Sequence, residues 1–324
     1  MFDIITFGSA TKDIFLRAKK NVIVSGEEFE TGEGVCFSLG SKIKVEDIYF
    51  TSGGGGTNTA TTFAKQGFSV AYCGKLGEDT AGDGVVKDLD HYGIDRSLLL
   101  RTKEKPTNHS VVIDVPEKDR TILTYKGASD LQRKEDVDFT NLSAKWFYFA
   151  PFSSRSQEFF YELIDYVFSK EAKVMINPGK VQLEDKRTKE ILRKADVVLL
   201  NMEEASILTG VEMEDEKGIL QAVSEYGKSV SLVTKGVEGV VAQSKGKRYT
   251  AKPTYPDAVD KTGAGDAFGS GFLSEFIRSE DVKKSIQLGI ANATSCLQKK
   301  GAKHGLLEKN QSFHVSPVKE IAES

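Results

Sequence analysis

The chain has little cysteine, little histidine, no long apolar run and no excess of either charge. Its three cysteines, Cys36, Cys73 and Cys296, stand far apart and follow no metal-ligand spacing. They read as reduced thiols of a cytoplasmic protein. The four histidines are scattered, which gives no zinc site. No apolar stretch approaches the roughly 20 residues of a membrane helix, so no membrane partner is expected. The first residues form a short apolar strand and lack the basic-then-apolar order of a signal peptide. With 44 basic and 47 acidic residues the formal net charge is -3. Extended nucleic-acid binding therefore has no electrostatic support, and Lys299-Lys300 reads as a solvated helix end.

What the chain does have is a regular alternation. Its 324 residues are 39% hydrophobic and 28% charged, enough for a sizeable core. Apolar runs at Phe2 to Gly8, Ser69 to Gly74, Lys145 to Ala150, Lys173 to Asn177, Asp196 to Leu200 and Val230 to Thr234 read as buried strands. Helical patterns lie between them. From Ser154 to Lys170, Phe159, Leu163 and Val167 and the neighbouring Phe160, Ile164 and Phe168 form one apolar stripe, read as core packing. Alternating strands and helices predict an α/β fold with a mostly parallel sheet covered on both faces. Ligands bind such sheets beyond the carboxyl ends of the strands.

Two stretches break the alternation. Residues 15–51 hold short β-like pieces. His109 to Val115, a polar turn, and Arg120 to Lys126 read as a hairpin. Together, about 15–51 and 107–127 predict a small β appendage on a single domain spanning 1–324. Such a sheet suits either a lid that excludes water or an extension used only for packing.

Asp260-Lys-Thr-Gly-Ala-Gly-Asp266 is the most informative segment. Phe268, Phe272 and Phe276 recur every fourth residue, so a helix starts near Gly263. The small residues Gly263, Ala264 and Gly265 leave backbone N–H groups bare, and such a helix start attracts anions. It suits charge on a transferring phosphoryl group. Asp266 in the same turn is expected to be ionised by the helix terminus and to accept a hydroxyl proton; alone it would read as a helix-capping Asp, and Gly263-Ala-Gly265 in an α/β chain turns the reading to catalysis. Other glycine motifs fit worse. Gly227-Lys228-Ser229 lacks the first glycine of a Walker A loop, because position 222 is Ala. Gly263-Ala-Gly265 does not follow a first strand as a dinucleotide fingerprint must, which argues against a dehydrogenase.

A second glycine run, Gly53 to Gly56, precedes Thr57-Asn58-Thr-Ala and a helix to Gly67. Gly54 and Gly55 allow close approach of a ligand. Asn58 suits sugar hydroxyls or a helix cap. The order Gly54-Gly-Gly56-Thr-Asn58-Thr-Ala60, Gly67 and Gly77, followed far downstream by Asp260 to Leu273, resembles the two signatures of the ribokinase/PfkB carbohydrate kinases. The likeness covers essentially the whole chain.

That resemblance implies a ribokinase-like three-layer α/β/α sandwich with a small β lid. It implies transfer of the γ-phosphate of ATP to a hydroxyl of a sugar, with a nucleoside kinase as the alternative and a non-catalytic binding protein as a third reading. Asp266 becomes the base and the backbone of Gly263 to Gly265 the anion hole. Asp13, after the first strand, with Gly54, Gly55 and Asn58, holds the acceptor; without the resemblance Asp13 reads equally as a turn residue. Asn201 and Glu204 resemble a pair that organises water around Mg²⁺, and also form a capping-box pattern. Thr234, Gly236 and Gly239 resemble the nucleotide-side loop or a plain hairpin turn, and Asn292 an adenine-side position. Asp260 is the implied ligand of K⁺, although Lys261 and Gly305 depart from the family pattern there. Phe37, Tyr49 and Phe50 are candidates for stacking on a nucleoside base, and a homodimer through the lid edge is expected.

Overall fold

The buried apolar runs become strands because their side chains alternate between two covered faces. The computed structural model describes residues 1–18, 22–29, 31–115, 120–254 and 258–322. The first half contains β1 (Phe2–Phe7), β2 (Thr11–Ala18), β3 (Val22–Ser25), β4 (Glu33–Cys36), β5 (Val45–Gly53), α1 (Gly55–Lys65), β6 (Val70–Gly77), α2 (Thr80–His91), β7 (Leu99–Thr102), β8 (Asn108–Asp114), β9 (Thr121–Tyr125), β10 (Ala144–Phe149) and α3 (Gln157–Ser169). The second half adds β11 (Lys173–Ile176), α4 (Lys180–Leu183), α5 (Lys186–Lys194), β12 (Val197–Asn201), α6 (Met202–Thr209), α7 (Glu216–Val223), β13 (Val230–Thr234), β14 (Val240–Ser244), β15 (Lys247–Ala251), α8 (Ala264–Ser279), α9 (Val282–Leu297) and β16 (Val318–Ala322).

Ten strands form the main sheet in the order β16-β15-β14-β13-β12-β11-β10-β1-β6-β7. Neighbours from β13 to β7 are parallel, and β14, β15 and β16 extend the sheet antiparallel. Ile5, Phe147, Phe149 and Val198 point into one core with Phe159, Leu192, Leu208 and Ile219 of the helices α3, α5, α6 and α7. Ile4, Tyr148, Met175 and Leu199 point into the other with Phe63, Leu89, Phe272 and Ile286 of α1, α2, α8 and α9. The result is the expected three-layer α/β/α sandwich. The stripe from Phe159 to Val167 is buried as expected, with Phe168 only partly covered, and a short 3₁₀ turn at Ser154–Ser156 precedes α3.

A separate four-stranded sheet has the order β5-β2-β8-β9. β8 and β9 pair antiparallel as a hairpin, and the turn expected between them lies outside the described residues. This sheet is wider than the sequence pattern suggested. β2 begins at Thr11 and β5 runs to Gly53, because Thr11 pairs directly with Gly53 and Asn108. Asp13 therefore lies on a strand, not in a turn. One face of the sheet carries Asp13, Phe15, Arg17 and Tyr49, while Ile14, Leu16, Ile48, Phe50 and Leu123 alternate onto the other. The first face borders a cavity of about 260 Å³ shared with Val259, Asp260 and Lys261.

Candidate active site

Helix α8 starts where the sequence placed it. Gly263 is its N-cap at φ 79, in the left-handed region, and no side chain caps the helix. A Cβ there would collide with Ala302, so glycine is required on two counts. A Cβ on Gly265 would meet no neighbour within 4 Å. The missing side chain at 265 therefore leaves open space in front of the helix start, where an anion can approach.

That start separates two pockets. On one side a pocket of about 220 Å³ is lined by Gly8, Ser9, Gly55, Asn108, Lys126, Asp130, Gln132, Pro151 and Asp266, among others. On the other, a smaller, mainly apolar pocket of about 130 Å³ is lined by Thr234, Gly236, Gly239, Ala264, Gly265, Phe268, Ile290 and Leu297, among others. Both lie beyond carboxyl ends of the main-sheet strands: after β1 and β10 for the first, after β13 for the second.

In the first pocket Asn58 donates from Nδ2 to Asp266 Oδ2 at 2.8 Å, and its own Oδ1 has no protein partner. Asn58 is thus not a helix cap; it orients the carboxylate of Asp266. Protein packs densely around Asp266, although it keeps some exposure in the cleft. Burial is the largest influence and raises its pKa above the ordinary aspartate value, while Asn58 and Lys303 oppose the rise. The sequence pattern had the helix terminus favouring the ionised form. Desolvation outweighs it here.

The glycines divide their work. A Cβ on Gly55 would come within 2.9 Å of Ala150 and 3.4 Å of Asp266, so this glycine keeps space beside the carboxylate. Gly54, at φ 95, packs against the backbone of Ser9 and does not line the pocket. Gly53 leaves room for Asp13 Oδ2. Asp13 is 5% exposed and accepts a hydrogen bond from Ser110 Oγ. Its pKa is raised, chiefly by burial, against the pull of Ser110 and Lys303.

Lys303 is the residue that sequence reasoning missed. Its side chain is 3% exposed, and Nζ donates to Ser52 Oγ at 2.6 Å. Ser52 in turn donates to Asp88 Oδ2 at 2.6 Å. Burial drives the ammonium pKa down from 10.5 to about 8, against the attraction of Asp88, Asp13 and Asp266. Nothing distinguishes this lysine from Lys299 and Lys300 in the sequence. Lys300 is also more than a solvated helix end, since it pairs with Asp47 of β5 at 2.9 Å. Tyr148 escaped notice too. Its hydroxyl is buried without a partner, and the charges of Asp266 and Glu204 both act on it.

At the carboxyl end of β12 the expected capping box is present. Asn201 Oδ1 accepts from the Glu204 amide, and Glu204 Oε2 accepts from the Asn201 amide, each at 2.8 Å. Burial raises the Glu204 pKa. Thr234, Gly236 and Gly239 belong to the antiparallel connection of β13 and β14 and line the apolar pocket.

Comparisons with known proteins decide what this arrangement belongs to. The family model described as "pfkB family carbohydrate kinase" matches residues 29–310. This chain belongs to the pfkB family of carbohydrate kinases. It is a phosphotransferase with an alcohol group as acceptor. A ribokinase of Haemophilus influenzae is 26% identical over 284 residues, covering 85% of this chain and 90% of its own. A nucleoside kinase of Methanocaldococcus jannaschii shares the fold at a TM-score of 0.77 and 20% identity, covering 94% of each chain. The ribokinase of Arabidopsis thaliana, solved with ribose and ATP, superposes at 0.76 with 23% identity, covering 94% of this chain and 95% of that one.

Two expectations for this pfkB kinase need correction. Asn292 does not reach the adenine side. It is fully buried, Nδ2 donates to Ala267 O at 2.8 Å, and Oδ1 accepts from the Leu307 amide at 2.8 Å. The residues of α9 that line the apolar pocket are Ile290, Ala293, Thr294 and Leu297. Phe50 cannot stack on a base beneath the second sheet, because it pairs with Ile14 on the opposite face and is 54% exposed. Tyr49 does lie on the inner face, where its hydroxyl meets His304 Nδ1 at 3.0 Å. At Gly305 a Cβ would strike the Ser295 carbonyl at the end of α9.

Proposed function

We propose that this kinase transfers the γ-phosphate of ATP to a hydroxyl of a sugar. The observation that carries the reading is the bare start of α8, set between two pockets with Asp266 on one side and Gly265 on the other. ATP occupies the apolar pocket with its phosphates directed at the amides of Gly263 to Gly265. The sugar occupies the Asp266 pocket beneath the second sheet, which acts as a lid, and Asp13 binds its hydroxyls. Asp266 takes the proton of the attacking hydroxyl as oxygen bonds to the γ-phosphorus and the bond to ADP breaks. The helix-start amides meet the charge on the phosphoryl oxygens.

Mg²⁺ neutralises charge on the β- and γ-phosphates when bound. Among the described residues no group of three acidic, histidine or cysteine side chains could cage it. Glu204 and Asn201, at the carboxyl end of β12, would order water around such an ion. For K⁺ the fit is poor. Asp260 Oδ1 accepts from the Thr262 amide and Oδ2 from the Gly301 amide, both at 2.8 Å, so this carboxylate joins the loop without an ion. No step is assigned to K⁺.

The outer lid face exposes Ile48, Phe50 and Leu123 at 52, 54 and 56%. We infer that a second copy covers it, and a monomeric mass in solution would refute this. No described helix is long and apolar enough to cross a membrane, and Cys73 and Cys296 are buried free thiols, which supports placing the enzyme in the cytoplasm.

The test is ATP consumption with Mg²⁺ over ribose, ketoses, sugar acids and nucleosides, with Asp266→Asn as the blank. A signal that D266N lowers about 10²- to 10⁴-fold in kcat, with little change in sugar affinity, is expected. Activity confined to nucleosides would replace the sugar reading, and full activity in D266N would remove Asp266 as the base.

A further inference from the structure

The acceptor pocket has a wall that no signature motif marks. Asp130 and Gln132 line it, and they are 9% and 2% exposed. Asp130 Oδ1 and Gln132 Nε2 are both buried with no hydrogen-bond partner. Lys105 Nζ lies 4.0 Å from the other carboxylate oxygen of Asp130, and Lys126 lines the same pocket. Leaving a buried carboxylate oxygen and an amide nitrogen unpaired costs stability, and folded proteins tolerate it where a ligand completes the bonds.

The wall is rigid. Asn108 Oδ1 accepts from the amides of Gly127 and Ser129 at 2.9 and 3.3 Å. Pro106 O accepts from the Ala128 amide at 2.8 Å. Lys75 Nζ donates to Leu131 O at 2.9 Å, and Ser156 Oγ donates to Ser129 O at 2.9 Å. Each bond fixes backbone in or beside the 3₁₀ turn Ala128–Leu131. The backbone that carries Asp130 and Gln132 is therefore held in place before any ligand arrives.

We propose that Asp130 and Gln132 form a specificity subsite for hydroxyl groups of the acceptor remote from the one phosphorylated; this rests on the reading of the pocket as the acceptor site. The carboxylate oxygen requires a donor and the amide nitrogen an acceptor. A sugar hydroxyl is both, and two neighbouring hydroxyls satisfy the pair together. A phosphate or carboxylate at that end of the acceptor would have no donor to offer Asp130 Oδ1, although Lys105 and Lys126 stand near the same wall. The subsite thus selects a neutral, polyhydroxylated acceptor over an anionic one.

Asp130→Asn and Gln132→Met test this with little change in volume. Each is expected to raise the acceptor KM by about tenfold or more, and to leave the ATP KM unchanged. Acceptor analogues lacking one remote hydroxyl should be discriminated by the wild type and much less by one of the two variants. Phosphorylation of a sugar that both variants leave unchanged overturns the subsite alone, as does a wild-type preference for an anionic acceptor. A wild-type protein that phosphorylates no acceptor, and whose melting temperature no polyol shifts, overturns the subsite and the sugar-kinase reading together. Circular dichroism melts of both variants separate loss of recognition from loss of fold.

Discussion

Replacing Lys303 by methionine tests the electrostatics of this site most sharply. Methionine keeps most of the buried stem and cannot ionise. In the folded protein the ammonium pKa falls from 10.5 to about 8. The folded state therefore releases this proton at a lower pH than the unfolded chain does. Above 10.5 the group is neutral in both states and carries no penalty. As pH falls from 10.5 to 8 the unfolded chain binds the proton first, and a destabilisation of about 3 kcal/mol develops. Wild-type stability should accordingly rise between pH 8 and 10.5, with up to about 1.4 kcal/mol per pH unit coming from this lysine. Lys303→Met should lose that slope. The offset between the two proteins contains the lost Ser52 bond and the uncompensated Asp13 and Asp88, so the slope is the clean quantity. Urea unfolding across this pH range measures it. Equal slopes in the two proteins would refute the perturbed lysine.

The same substitution has a catalytic signature: Lys303 lowers the pKa of Asp13 and of Asp266, so K303M should shift the acid limb of the kcat/KM profile to higher pH, and an unmoved limb would uncouple Lys303 from the reaction. Asn58→Leu removes the 2.8 Å bond to Asp266 and should move that limb the same way while lowering kcat; a change in sugar KM alone would mean that Asn58 serves only the acceptor. Tyr148→Phe deletes a buried hydroxyl that has no partner, so the melting temperature should hold or rise, by the equivalent of about 1 kcal/mol at most, and a clear fall would show that the hydroxyl makes a bond the static structure omits.

Local spacing made the sheet, the helix stripes and the start of α8 legible, because each depends on residues within one turn or one strand. The small residues Gly263 to Gly265 marked a bare helix start without a structure, whereas the left-handed φ of Gly263 and its contact with Ala302 needed one. The roles of Asn58, Asn292 and Lys303 depend on distant partners. Asn58 meets Asp266 from α1, Asn292 meets Leu307, and Lys303 meets Ser52 of β5 and, through it, Asp88 of α2. A lysine followed by a histidine and a glycine carries no mark of that burial. The wall at Asp130 and Gln132 was hidden for the same reason, since the bonds that hold its backbone come from Asn108, Lys75 and Ser156.

Asp266 shows why these distant partners matter to chemistry. Asp266, the base of the proposed mechanism, sits at the start of α8, and the packing that shapes the pocket penalises its charge more than Asn58 and Lys303 favour it. A raised pKa makes the carboxylate a stronger proton acceptor but leaves less of it ionised. In the proposed mechanism the second sheet, closing over the acceptor, would exclude water and add to the penalty at the moment the proton must be taken. Asn58 and Lys303 act in the opposite direction, one through a hydrogen bond and one through charge. Lys303 is suited to this because it is already desolvated, so its field reaches Asp266 and Asp13 with little screening. The ammonium costs the fold stability for the same reason that it helps the site, and the two effects must therefore disappear together in K303M.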